Sequence, residues 1–227
     1  MQLNILVEGQ AEEMFVNELL APYLKNWNIN VTAIIVTTKR MPSGLKNRGG
    51  LTAHNYSNFI SDLARLIPST PHGLVTTLID YYAIPELFPG YEQRHAQGKA
   101  INGVRFLELE LSKSMGSPRN FLPYIQLHEF EAMLFSSKAG FEANLPTSDP
   151  ALAELSGIVD IYPNPEDINE GPTTAPSKRI LHHYPGYNKV VEGNLMLSEI
   201  GIPAIKEKCP HFSDWLDKIL AFAEAMR

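Results

Sequence analysis

Cysteine is almost absent from this chain. Cys209 stands alone among 227 residues, which excludes an internal disulfide and any zinc site built on several cysteines. No apolar run approaches the ~18 residues that a membrane span requires. Near the start, Glu8 interrupts the apolar stretch, so the basic-then-apolar layout of a signal peptide is missing. The expectation is a soluble, cytoplasmic protein with no membrane partner. A Walker-type phosphate loop is also lacking, because Gly44 to Gly50 carries its lysine at the wrong spacing and opens no helix directly. Ser43 and Ser177 sit in no nucleophile elbow, and His128, His182, His183 and His211 are scattered without zinc-site spacing. Finally, Leu19 to Ser61 contains no Asp or Glu, while Lys25, Lys39, Arg40, Lys46 and Arg48 all fall inside it. With a formal net charge of -6, attraction to a polyanion has to come from such a local excess and not from the whole surface.

What is present is ample core material. Hydrophobic residues make up 44% of the chain, enough for one large domain or a domain with an appendage. Leu3 to Val7 reads as a first strand, and Phe15, Val16, Leu19, Leu20 and Leu24 give the following helix an apolar stripe. Val31 to Thr37, rich in β-branched residues, is a second strand. Phe59, Ile60, Leu63, Leu66 and Ile67 mark a second helix, and Leu74 to Ile79 a third strand ending at Asp80. Val104, Leu107, Leu111 and Met115 mark a third helix, and Phe121 to Leu127 a fourth strand whose Pro123 suits an edge. Strands joined by helical crossovers imply an α/β fold with a central, mostly parallel, four-stranded sheet. Beyond residue 127, helical segments are expected around Phe130 to Phe135, which closes the core of residues 1–135, and around Pro150 to Val159, Ser177 to His183, Lys189 to Ile200 and Phe212 to Met226. Residues 136–227 thus form a helical C-terminal cap packed on the core as one compact unit.

The carboxylates fall at telling places on that frame. Glu8 follows the first strand, Asp80 the third, and His128, Glu129 and Glu131 the fourth, so a parallel sheet sets all of them on one edge, where open α/β sheets bind their ligands. Glu12, in the first helical turn, leans over the same spot. Hard divalent cations take carboxylate oxygens and keep positions for water or phosphate, which makes Glu8, Glu12, Asp80, Glu129 and Glu131 candidate ligands for Mg2+ or Mn2+. Each alone also reads as an ordinary turn or helix-end carboxylate. Glu129 and Glu131 are two apart and do not share a helix face, so at most one points inward. The Lys39 to Gly50 loop, with Lys46 and Arg48, suits a phosphate-bearing substrate. Lys178 and Arg179 are candidates for neutralising developing charge in catalysis, and His128 and Lys189 for contacting substrate.

Val7-Glu8-Gly9-Gln10-Ala11-Glu12 at a strand end, with Asp80 after the third strand, resembles the Toprim fold of topoisomerases, bacterial-type primases and the overcoming-lysogenisation-defect nucleases. Asp80-Tyr81-Tyr82, Phe88-Pro89-Gly90, Pro123 through Ala132, Pro176-Ser177-Lys178-Arg179 and Cys209-Pro210-His211-Phe212 are similar to domain of unknown function family 4276. The Toprim resemblance implies that Glu8 is a general acid or base, or a metal ligand, in phosphodiester chemistry, and that Asp80 is the first member of a metal-binding Asp-x-Asp pair. The second member is replaced by Tyr82, whose phenol is a poor magnesium ligand at neutral pH. The leading expectation is a metal-dependent phosphodiester hydrolase of nucleic acid, in a defence or restriction system. A phosphotransferase acting on a small phosphate compound is a related option. The alternative, favoured by Tyr82, is a non-catalytic module that binds nucleic acid or a protein partner beside a separate ATPase.

Overall fold

The computed structural model describes residues 1–37, 51–168, 171 and 173–227. Its centre is a sheet ordered β2-β1-β3-β4, formed by β1 (Gln2–Val7), β2 (Asn30–Ile35), β3 (Gly73–Asp80), β4 (Phe121–Leu122) and β5 (Ile125–Gln126), the last pairing with β3. Every pairing is parallel. The register is the consequence that matters. Val7 lies opposite Leu78, so Glu8 and Asp80 leave neighbouring strands almost side by side.

Side chains alternate across a strand, and both faces of this sheet are covered. Leu3, Ile5, Val7, Leu74 and Leu78 pack into one apolar cluster, and Leu6, Val75 and Ile79 into another. β3 is buried along its whole length, as expected of a central parallel strand. Its two inward threonines are both satisfied. Thr76 Oγ1 accepts from the Trp215 indole at 2.9 Å, and Thr77 Oγ1 accepts from Tyr124 N at 2.9 Å while donating to Tyr124 O at 2.8 Å.

That last pair explains a departure from the sequence expectation. The fourth strand is not continuous from Phe121 to Leu127: Pro123 supplies no N–H, and the ladder breaks into β4 and β5. Thr77 bridges the gap with its side chain. Both short segments pair only with β3, at the sheet's edge.

One apolar layer comes from α3 (Tyr56–Ser69) and α4 (Ala100–Ser114), through Phe59, Leu63, Ile67, Val104, Leu107 and Leu111. The other contains the N-terminal helical stretch: α1 (Gln10–Phe15), a π-helical turn at Val16–Leu20 and α2 (Ala21–Lys25). Packed with it are α5 (Ala139–Asn144), α6 (Pro150–Ile161), α7 (Pro176–His183), α8 (Glu192–Lys208) and α9 (Pro210–Ala225). Phe15 meets Phe130 and Phe212 edge to face at 5.4 and 6.3 Å, so residues from both ends of the chain share this cluster.

Two helical expectations are met with a difference in detail. The helical segment at Phe130–Ser136 is a 3-10 helix with all seven residues buried. The helix expected over 189–200 begins at Glu192 and is interrupted after Ile200 by Gly201, whose φ of 77° is non-helical and suits glycine, before a second helical segment continues to Lys208. Among the described residues no helix is long and apolar enough to cross a membrane.

Candidate active site at the carboxyl edge of the sheet

The chain turns sharply after β1. Gly9, with extended backbone, admits α1 immediately, and the first turn of that helix puts Glu12 over the sheet edge. Glu8, Glu12, Asp80 and Glu131 are all buried there. Glu8 Oε1 accepts from the backbone N–H of Asp80 at 3.3 Å, which locks the two strand ends together.

Among the described residues, one ammonium sits among these acids. Lys189 Nζ lies 3.0 Å from Glu12 Oε1, 3.2 Å from Asp80 Oδ2 and 3.3 Å from Glu131 Oε2. The Glu131 contact is an ion pair without hydrogen-bond geometry, since Glu131 Oε2 finds no hydrogen-bond partner. The loop that delivers Lys189 is firmly built. Glu192 accepts from the Tyr184 hydroxyl at 2.5 Å and from Asn188 N at 2.6 Å. Asn194 then donates to Val190 O at 2.9 Å and to Ala11 O at 3.1 Å, holding the loop against α1.

Charge in this site is unbalanced, and the proton affinities register it. Burial, then Asp80 and Glu12, push Glu8 well above the usual carboxylate range. Burial raises Asp80 to about 7, with Lys189 opposing and Glu12, Glu131 and Glu129 adding. Glu131 is also raised, chiefly by burial. Burial works against the charge on Lys189, but Asp80, Glu131 and Glu12 outweigh it and keep the amine protonated far above its ordinary range. One oxygen has no use for this cation: Asp80 Oδ1 is buried with no partner. Buried polar atoms without partners are uncommon and call for an explanation.

His128 closes the edge. Its φ of 64° lies in the left-handed region, a strain of about 1–3 kcal/mol that recurs at functional sites. Its carbonyl accepts from Tyr82 N at 3.2 Å, and its Nε2 faces Glu166 O at 3.0 Å. Because a carbonyl can only accept, Nε2 carries the proton and the buried Nδ1 is left bare and unpartnered. Burial lowers the ring's pKa, so His128 is neutral.

The remaining candidates separate. Glu131 reaches the Lys189 ammonium, whereas Glu129 turns to accept from Ser177 N at 2.9 Å, at the start of α7, where a carboxylate suits the helix dipole. Arg179 donates from Nε to Thr174 O and from Nη2 to Tyr162 Oη, both at 2.9 Å, which commits much of its fork to the protein. Lys178, one residue earlier, is exposed on α7. Lys46 and Arg48 lie outside the described residues. Tyr82 supplies no carboxylate to the cluster. Burial, then Glu129 and Tyr81, push its phenol up to about 12, and its side chain stays 42% exposed.

Tyr187, which with Tyr184 and Lys189 forms an aromatic and basic run in the sequence that suits either nucleic-acid stacking or the core, turns its hydroxyl inward. Its buried hydroxyl has no hydrogen-bond partner, and burial, then Glu131, raise its pKa well above 10. Its trace in the sequence is Gly193, where an added Cβ would stand 2.6 Å from the Tyr187 oxygen. Unseen in the sequence was Glu166, whose carboxylate accepts from His211 N at 2.8 Å and Phe212 N at 3.0 Å and so caps α9.

Three carboxylates thus converge on a point that an ammonium takes. Among the described residues, no group of three or more His, Cys, Asp or Glu has metal-holding geometry. The donor chemistry nevertheless suits a hard divalent cation: carboxylate oxygens, of which Asp80 Oδ1 and Glu131 Oε2 are buried without a hydrogen-bond partner. Comparison with known proteins gives no match to a curated protein and none to a solved structure. A family model does match, over residues 7–220. With both strand-end acids, Lys189 and the α9 cap inside that span, the chain belongs to the family described as Domain of unknown function (DUF4276).

Proposed function

We propose that this protein is a divalent-metal-dependent phosphodiester hydrolase acting on nucleic acid. The observation that carries the reading is Asp80, a buried carboxylate with one oxygen unpartnered, in a four-acid cluster where Lys189 is the one ammonium among the described residues. Such a cluster binds added positive charge with gain, because each further cation relieves repulsion that now raises Glu8, Asp80 and Glu131. Asp80, Glu131, Glu12 and Glu8 are the residues that would hold Mg2+ or Mn2+. When bound, the ion supplies Lewis acidity toward a phosphoryl oxygen and lowers the pKa of water.

The chain's own residues supply the rest. Hydrolysis forms one P–O bond from water and breaks another to a sugar oxygen, so one proton must leave the attacking water and one must reach the leaving group. Glu8, fixed by the Asp80 N–H and outside the ion-pair contacts of Lys189, is the carboxylate that accepts the first and can return it. Lys189 sits at the convergence point of the acids. A phosphate entering the site would offer this ammonium, now paired with Asp80 and Glu131, an alternative anion, and Lys189 would neutralise charge on a phosphoryl oxygen. Lys178 on the exposed face of α7 contributes longer-range attraction.

A second reading, a non-catalytic binding module beside a separate ATPase, is favoured by Tyr82 at the position where the Toprim pattern expects a second acid. The two are separated by incubating the protein with plasmid, single-stranded DNA and RNA in Mg2+ or Mn2+, beside Glu8→Gln and Asp80→Asn. The hydrolase reading expects cleavage by the wild type and its loss in both variants. Cleavage that persists in the variants overturns the assigned site, and no cleavage of any substrate favours the binding module.

A further inference from the structure

Next to the carboxylates lies a cleft of about 750 Å3 that the chemistry above does not use. Its lining includes Leu51, Tyr82, Ile84, Glu86, Leu87 and Tyr91. Two of its residues touch the site's framework. The Leu51 backbone N–H serves Glu8, and Tyr82 follows Asp80 by two residues with its own N–H bound to His128 O. The cleft is therefore anchored to the same strand ends that carry the acids.

Its chemistry differs from theirs. Among its described lining residues Glu86 is the charged group, and none is lysine, arginine or histidine. Tyr82 is 42% exposed, its ring backed by His128 at 5.7 Å and Tyr81 at 6.1 Å. Tyr91 is stiffened by the Arg94 guanidinium, 3.4 Å above its ring. Two braced aromatic rings, aliphatic neighbours and an acceptor at the rim make a receptor for a flat, neutral, amine-bearing ring. Every nucleobase has a π-face, and stacking on aromatic side chains is how unpaired bases are held.

We infer that this cleft is a nucleobase subsite, in which Tyr82 stacks an unpaired base next to the phosphate held at Asp80, so that the substrate is single-stranded nucleic acid. The inference rests on the hydrolase reading for the position of the phosphate, but binding in the cleft is measurable without cleavage. A stacked base is extruded from any duplex, so paired nucleic acid is disfavoured.

Fluorescence polarisation of the full chain in EDTA tests it. The probes are a labelled single-stranded DNA and an RNA of the same sequence, their duplexes, and single strands in which one abasic nucleotide is stepped along the chain. Tyr82→Ala is expected to weaken single-strand binding about tenfold, within the range for loss of one stacked base, while Tyr82→Phe retains it. One abasic position should reproduce the loss in the wild type and have no effect in Tyr82→Ala. The subsite is overturned if Tyr82→Ala binds like the wild type, if no abasic position stands out, or if duplexes bind as well as single strands. Stacking as expected with no cleavage of any substrate in Mg2+ or Mn2+ supports the subsite and sinks the hydrolase. Cleavage lost in Asp80→Asn but indifferent to Tyr82→Ala does the reverse.

Discussion

Two buried acidic clusters lie in this molecule, and they are built on opposite principles. Around α9, Glu166 takes two backbone N–H groups, from His211 and Phe212, while Glu108 takes Ile125 N and His211 Nε2, both at 2.9 Å. Their donors are mostly backbone, fixed by the fold, and His211 Nδ1 is the one atom left over. At the sheet edge, among the described residues, three acids share one side-chain ammonium, and Asp80 Oδ1 has no partner. A carboxylate satisfied by backbone donors stabilises the fold; one held by a side-chain cation and left with an open oxygen is available to something else. The same residue type therefore serves architecture in one place and, on our reading, chemistry in the other.

The comparison can be broken most directly at Asp80 and Glu8. Asp80→Asn and Glu8→Gln should each lower metal-dependent phosphodiester cleavage by about 100-fold or more, with urea denaturation showing stability unchanged or improved because a buried, crowded charge is gone. A large loss of stability in either would place this cluster with the architectural one. Next in size is protection by metal. Saturating Mg2+ or Mn2+ at about a hundred times its Kd should add about 2.7 kcal/mol to the unfolding free energy of the wild type and little to Asp80→Asn, as read from thermal melts. Because Asp80 titrates near 7 and its protonated form is a poor ligand, this protection should grow as pH rises through 7.

Glu166→Ala should act the other way round. Stripping the cap from two N–H groups of α9 costs about 2 kcal/mol, measured by urea titration, and metal should not restore it. Lys189→Met is the sharper contrast: it leaves the acids uncompensated and should destabilise the protein in EDTA by about 2 kcal/mol, less than for a fully buried pair because the lysine is a third exposed. Here Mg2+ should restore the loss. The smallest effect concerns His211. Burial opposes its charge, but the Glu108 hydrogen bond prevails and raises its pKa. A raised folded-state value means that its contribution is complete below the ordinary imidazole value of about 6.5 and is lost as pH rises through the folded value. Stability should therefore fall above that pH, and Glu108→Gln should flatten the slope in pH-dependent melts.

How far the site was legible depended on sequence distance. Glu8 and Asp80 could be set on one edge because each closes a strand and parallel register does the rest. Glu129 and Glu131 could be separated in direction but not ranked: Glu131 faces inward because the buried 3-10 turn at Phe130–Ser136 turns it there, a backbone form that spacing does not announce. Arg179, promising as a phosphate grip, is held by Tyr162 and Thr174, across a loop whose path no periodicity describes.

The sequence by itself determined the alternation of strand and helix, the parallel sheet it entails and the edge on which the strand-end acids gather. Local apolar periodicity and chain connectivity suffice for that, since few topologies satisfy both. Only the tertiary structure decided that Lys189, 109 residues beyond Asp80, enters the acids, that Asp80 keeps an open oxygen, and that Tyr82 faces a cleft instead of the cluster. Those outcomes depend on contacts between distant segments, where a few ångströms separate a paired charge from an unpaired one and where pattern along the chain carries no distance.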